Sequence, residues 1–97
     1  MALTWPEITE GVWTKVATAV TGGIIDRLKS EFTFWVTSVA TGAAAPDAAI
    51  KTKSPKLFED SNQETVESST AIDVYIWIEN ADGNTNSTIS NCIQVSS

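Results

Sequence analysis

The strongest pattern in the chain is a period of two. Ile72, Val74, Ile76 and Ile78 alternate with Asp73, Tyr75, Trp77 and Glu79. Apolar residues at every second position mark a strand with one face turned into a core. The segment Ala71 to Glu79 is therefore read as a strand; Tyr75 and Trp77 on its second face are exposed in a thin single sheet and buried in an oligomer or sandwich. Asn80 to Asn84 follows with Asp82-Gly83 in its middle, a pair suited to a two-residue type I′ turn. Thr88 to Ser96 is read as the returning strand of a hairpin. That register sets Ile76 opposite Ile89 and Ile72 opposite Ile93, both on the apolar face. Trp77 then faces Thr88, and Asp73 faces Cys92.

A second alternation spans Phe32 to Ala40. Phe32, Phe34, Val36 and Ser38 share one face; Thr33, Trp35, Thr37 and Val39 share the other. Both faces carry bulk, so both are expected to be covered. The opening admits two readings. Ile8, Val12, Val16 and Val20 recur at a helical spacing, and Thr4-Trp5-Pro6-Glu7 suits a helix start. Against this, Val12, Thr14, Val16, Thr18 and Val20 are β-branched at alternate positions and Gly11 interrupts. A strand over Val12 to Val20, behind a short arm, is the better reading. Thr21-Gly22-Gly23 signals a turn or bulge, and Ile24 to Leu28 resumes as a short strand.

From Thr41 to Pro55 the chain turns to Ala, Gly and Pro. It is too long for a tight turn, and long loops are usually functional or mobile. It reads either as a crossover with a short edge strand near Ile50 to Lys53, or as an arm on a neighbouring subunit. Pro55 to Glu59 is a further short strand. Asp60 to Ser69 is an acidic loop leading into the next strand. The fold class expected is all-β: a small antiparallel sandwich or barrel. It has an N-terminal arm over residues 1–11, a single β domain over 12–97 and a C-terminal β-hairpin.

Composition narrows the chemistry. The chain has 97 residues, no His, one Cys and one Arg. One core of modest depth is all that this length supports. Without His there is no Ser-His-Asp triad and no imidazole ligand. A lone Cys makes neither an internal disulfide nor a CxxC site. Glu64 with Glu67, or Asp73 with Glu79, are carboxylate pairs of the kind used in acid–base work, but no spacing distinguishes them from solvated side chains. Asn80, Asp82, Asn84 and Asn86 are rich in oxygen, yet Gly83 sits at the wrong offset for a calcium loop and no distal Glu follows. Cys92 is read as a passive thiol. Asn86-Ser87-Thr88 fits a glycosylation sequon that is expected to be idle. No catalytic, cofactor-binding or metal residue is assigned, no cofactor is expected, and the chain is not read as an enzyme.

The net charge is −6. Five acids and three bases precede Lys51; seven acids and three lysines lie from Lys51 onward. Lys51, Lys53 and Lys56 are the basic cluster, read as a solvated loop or strand edge, and they fall short of a phosphate-binding stripe. Nucleic acid is not expected as a partner. Apolar runs are far shorter than the ~20 residues needed to cross a bilayer, and the start lacks a signal peptide's basic and apolar regions. No membrane partner is expected, and the chain is read as soluble.

Four Trp residues remain to be placed: Trp5, Trp13, Trp35 and Trp77. Such rings serve as core or interface anchors, or as a sugar-stacking platform. A small domain with no internal disulfide often draws stability from neighbours. The phrases WTKVATAV from Trp13 to Val20, TGAAAP from Thr41 to Pro46, and SSTAIDVYIW from Ser68 to Trp77 before an Asp-Gly turn support a comparison. They resemble segments of small β-rich virion proteins of tailed bacteriophages. The resemblance implies a structural role, first as a capsid decoration protein that binds the particle as a homo-oligomer, with a trimer favoured. The alternative is a tail accessory or host-recognition, carbohydrate-binding module. It implies the major capsid protein or a tail protein as partner, and residence in a virion assembled in the host cytoplasm. The contact surface expected comprises Trp5, Pro6, Trp13, Ala45, Pro46, Tyr75 and Trp77.

Overall fold

The computed structural model describes residues 3–80 and 87–97. Its strands, in chain order, are β1 (Leu3–Thr4), β2 (Ile8–Thr9), β3 (Thr14–Arg27), β4 (Phe32–Ala40), β5 (Lys56–Leu57), β6 (Gln63–Asn80), β7 (Thr88–Ile89) and β8 (Ile93–Ser96). One 3₁₀ helix, Ala48–Lys53, lies between β4 and β5. The protein is mostly antiparallel β. A six-stranded sheet has the order β1-β8-β3-β6-β4-β5, and β2 pairs with β7 in a two-stranded sheet. The large sheet ends in two very short strands, β1 and β5, and no closed barrel is found.

The centre of the sheet is built by β3 and β6. The first part of β6 pairs with the end of β3, with Ile24 opposite Thr65 and Asp26 opposite Gln63. The second part pairs with the start of β3, with Thr14 opposite Ile76 and Val20 opposite Ile72. Within the second part β3 slips register at Lys15/Ala17 and Ala17/Val20, and a third slip at Val20/Gly22 separates the two parts. The irregular passage thus runs from Lys15 to Gly22 inside one strand, with Gly22 and Gly23 back in register opposite Glu67 and Val66, and bulges bend a strand and add twist. Gly23 has a steric reason to be glycine. A Cβ there would lie 2.5 Å from the backbone oxygen of Ser96 on β8.

The C-terminal hairpin does not form as expected. Both edges of β6 from Ile72 to Ile76 are occupied: Ile76 faces Thr14 of β3 on one side and Val36 of β4 on the other. No edge is left for a returning strand. Ile89 instead lies opposite Ile8 of β2, and β8 inserts between β1 and β3, with Val95 opposite Ile25. The alternating pattern of Ile89, Ile93 and Val95 fits these partners equally well, so parity alone does not select β6. The Asp82-Gly83 turn lies outside the described residues. The edge strand considered near Ile50 to Lys53 is the 3₁₀ helix; β5 follows it as the edge. β6 begins at Gln63, inside the stretch expected to be a loop, because β3 there offers it a partner.

The expected faces of β4 and β6 do meet a core. Ile8, Ile25, Phe34, Val74, Ile76, Ile78, Cys92 and Ile93 are almost wholly buried. Phe34 meets Phe58 edge-on at 5.0 Å and Phe32 at 6.5 Å. Ile8 and Phe58 come from short segments that the large sheet does not contain, and they close the core from outside it. Of the residues read as the N-terminal arm, Leu3 and Trp5 are exposed, whereas Ile8 and Glu10 are buried.

Because backbone faces backbone at Gly23, neither side yields cheaply. Gly23→Ala is expected to lower stability by about 1–3 kcal/mol, measured as the midpoint of denaturant unfolding. An unchanged midpoint would mean that β8 shifts freely away from β3.

Candidate functional site

The second faces of β4 and β6 form the most chemically distinctive surface. The register sets Trp35 opposite Trp77, Thr37 opposite Tyr75, Val39 opposite Asp73 and Thr33 opposite Glu79. This face is covered in its turn: Asp73, Tyr75 and Trp77 are 1%, 5% and 8% exposed. The cover comes from two directions. Trp13, just before β3, meets Trp77 edge-on at 5.5 Å and 72°. The segment between β4 and β5 folds back over the rings. Asp47 caps its 3₁₀ helix by accepting the Ala49 N–H at 2.9 Å, the geometry that favours Asp at a helix start. The Trp13 indole N–H donates to the Asp47 carbonyl oxygen at 3.0 Å.

Lys51 of that helix lies among the rings. Its Nζ sits 4.6 Å from the centroid of Trp35 and 5.6 Å from that of Trp77. It also pairs with Glu79, whose Oε2 accepts the Trp77 indole N–H at 2.9 Å. Lys56 of β5 approaches Trp35 from the other side at 5.8 Å. Of the three basic residues read as a solvated loop or strand edge, Lys53 and Lys56 are exposed, Lys56 on the edge strand β5, whereas Lys51 is half-buried among the rings. Ammonium groups are drawn to the negative faces of aromatic rings.

Asp73 organises the far end of the same face. Its carboxylate accepts the Ala19 N–H at 2.9 Å, the Thr41 hydroxyl at 3.2 Å and the Gly42 N–H at 3.5 Å, and Lys15 Nζ lies 3.4 Å away. Ala19 is held at φ 53, a left-handed conformation. Asp73 therefore ties the β3 bulge to the turn that leaves β4. Its pKa is lowered, first by the Ala19 hydrogen bond and then by the Gly42 N–H and the Lys15 charge, against the opposing effect of burial.

The residues expected at an interface divide between places. Trp13, Tyr75 and Trp77 come together on the aromatic face, with Pro46 half-buried and Ala45 exposed in the loop that crosses it. Trp5 is exposed and Pro6 half-buried in the link between β1 and β2. A sugar platform needs open ring faces, and Trp77 and Tyr75 do not offer them. The carboxylate pairs separate: Glu64 accepts the Phe58 N–H, Glu67 is exposed, and Asp73 and Glu79 hold different lysines. Cys92 is fully buried, and burial pushes its thiol pKa up. Of the oxygen-rich turn, Asp82, Asn84 and Asn86 lie outside the described residues.

Sequence reasoning did not single out Lys51, Glu79 and Asp73 as one layer with the rings. The shared face of Asp73 and Glu79 on β6 was legible, but the return of the loop that carries Lys51 was not. No protein-family model matches the chain, and no curated protein or solved structure matches it significantly.

The folded pKa of Asp73 lies below its unfolded value. Its stabilisation is thus present above the ordinary Asp range and is lost as pH falls below about 4. Asp73→Asn is expected to lower the melting temperature at neutral pH and to flatten the acid limb of a melting-temperature profile. An acid limb identical to that of the parent would sink this role. Ala19→Gly removes the left-handed cost and is expected to add up to about 1 kcal/mol in denaturant titration.

Proposed function

We propose that this chain is a structural protein of a tailed-bacteriophage particle: a capsid decoration protein that binds the surface as a homo-oligomer and stabilises it. The mechanism is burial of an apolar arm against the major capsid protein, without a catalytic step. The resemblance in Trp13 to Val20, Thr41 to Pro46 and Ser68 to Trp77 supports this reading. The observation that carries it is the arm: Leu3 and Trp5 are each 49% exposed. β1 fastens that arm through two residues, with Leu3 opposite Ser96 and Thr4 opposite Val95. Exposed aromatic side chains of this kind are efficient contact anchors.

We read the bent β3–β6 pair as folding the large sheet into the two layers of a small β-sandwich. A trimer on a local three-fold axis is the simplest closed assembly for a shell-binding protein. Binding to the particle would add stability by mass action.

The test is attachment to purified particles. The wild-type protein is expected to co-sediment with virions. Trp5→Asp is expected to bind at least about tenfold more weakly, while keeping the same circular dichroism. Virions that lack the protein would remove the proposal, and unchanged attachment of the Trp5→Asp variant would remove the arm from it.

A further inference from the structure

We propose that Trp35, Trp77 and Glu79 form a binding site for an alkylammonium cation, held shut by the chain's own Lys51. The walls belong to the rigid part of the fold. Trp35 and Trp77 are direct cross-strand partners in a β4–β6 pairing that runs without a register slip from Phe32 opposite Asn80 to Ala40 opposite Ile72. Trp13 packs edge-on against Trp77, and the Trp77 indole N–H holds Glu79 beside the ring. The site therefore combines two π faces with one carboxylate, the combination that recognises an organic ammonium group. The Lys51 side chain, an alkyl stem ending in an ammonium, shows what chemistry fits.

The occupant is carried on a weakly held strap. None of the residues Ala48–Lys53 is buried, and Ile50 is 39% exposed. Besides the Lys51 contacts, the strap is tied to the aromatic face by the exposed hydrogen bond from Trp13 to the Asp47 carbonyl. Exposed Ala43, Ala44 and Ala45 lead into it. Segments with few buried contacts open at low free-energy cost. Opening would leave the walls in place, because their pairing does not involve the strap. Lys51 then acts as a tethered competitor, whose effective concentration lowers the apparent affinity for an outside cation. This proposal is independent of the virion reading, since it concerns the opposite face of β6 from the core and not the exposed arm.

The experiment uses the full chain and n-propylammonium, which replaces the part of Lys51 that Lys51→Ala removes. Tryptophan fluorescence and the indole N–H signals in proton–nitrogen spectra report binding. Lys51→Ala is expected to show saturable binding at least about tenfold tighter than wild type. It should lose that binding when Glu79→Gln is added, and it should not respond to n-propanol. The cation is also expected to raise the melting temperature of Lys51→Ala. A lysine that is merely structural predicts a less stable variant with no saturable binding, and that outcome overturns the proposal, as does equal binding by wild type. Should Lys51→Ala lose its fold, Trp13→Phe, which frees the strap and keeps a ring on Trp77, is read the same way. It is expected to bind propylammonium more tightly than wild type, and failure to do so is equally decisive.

Discussion

From Ile72 to Ile76, both edges of β6 are taken, and its two faces are covered as well. β3 and β4 take its two edges, the core takes one face, and Trp13 and the returning loop cover the other. Much of the architecture follows from that enclosure. A strand with no free edge cannot host the chain that follows it, so β7 and β8 travel to β2, β1 and β3. A strand with both faces buried must satisfy any polar group it carries. Asp73 does so through Lys15 and backbone donors, while Glu79, nearer solvent, pairs with Lys51 and the Trp77 indole.

The polar contacts thus decide how the second layer is laid down. A domain of this length buries a limited share of its surface, and the aromatic face adds burial beyond the Ile, Val and Phe core. Asp73 holds the bulge in β3 and the turn after β4 against the same carboxylate. The Asp47 cap and the Lys51–Glu79 pair then bring the following segment across the rings. An unpaired buried carboxylate costs far more than a paired one contributes, so the geometry around Asp73 is tightly specified. The strap is held by fewer groups, all near solvent. The same aromatic face therefore has a firm end at Asp73 and a looser one at Lys51.

The virion reading and the cation site draw on different parts of this arrangement. The exposed arm at Leu3 and Trp5 lies at the β1 edge of the sheet, where a partner can add contacts without disturbing β6. The cation site lies against β6 itself, on walls fixed by cross-strand pairing. The proposed contact surface thus lies where the fold is thin, and the proposed cation site where it is rigid.

Alternation along Phe32 to Ala40 and Ile72 to Ile78 was enough to assign both strands, their inward faces and the bulk on their outward faces, since strand parity is a local property of the backbone. The strand preference of Val12 to Val20 was legible for the same reason, whereas the signal at Thr21 to Gly23 marks only the end of an irregular passage that begins at Lys15. The aromatic residues Trp13, Tyr75 and Trp77 were legible as anchors, read as part of a contact surface. Their cover was not, because Lys51 lies 26 residues before Trp77 in the chain and meets it only through the loop's return. Pairing of β8 with β3, and of β7 with β2, was likewise decided in three dimensions. Several strands offered matching apolar faces, and competition for free edges is settled only when the whole sheet assembles.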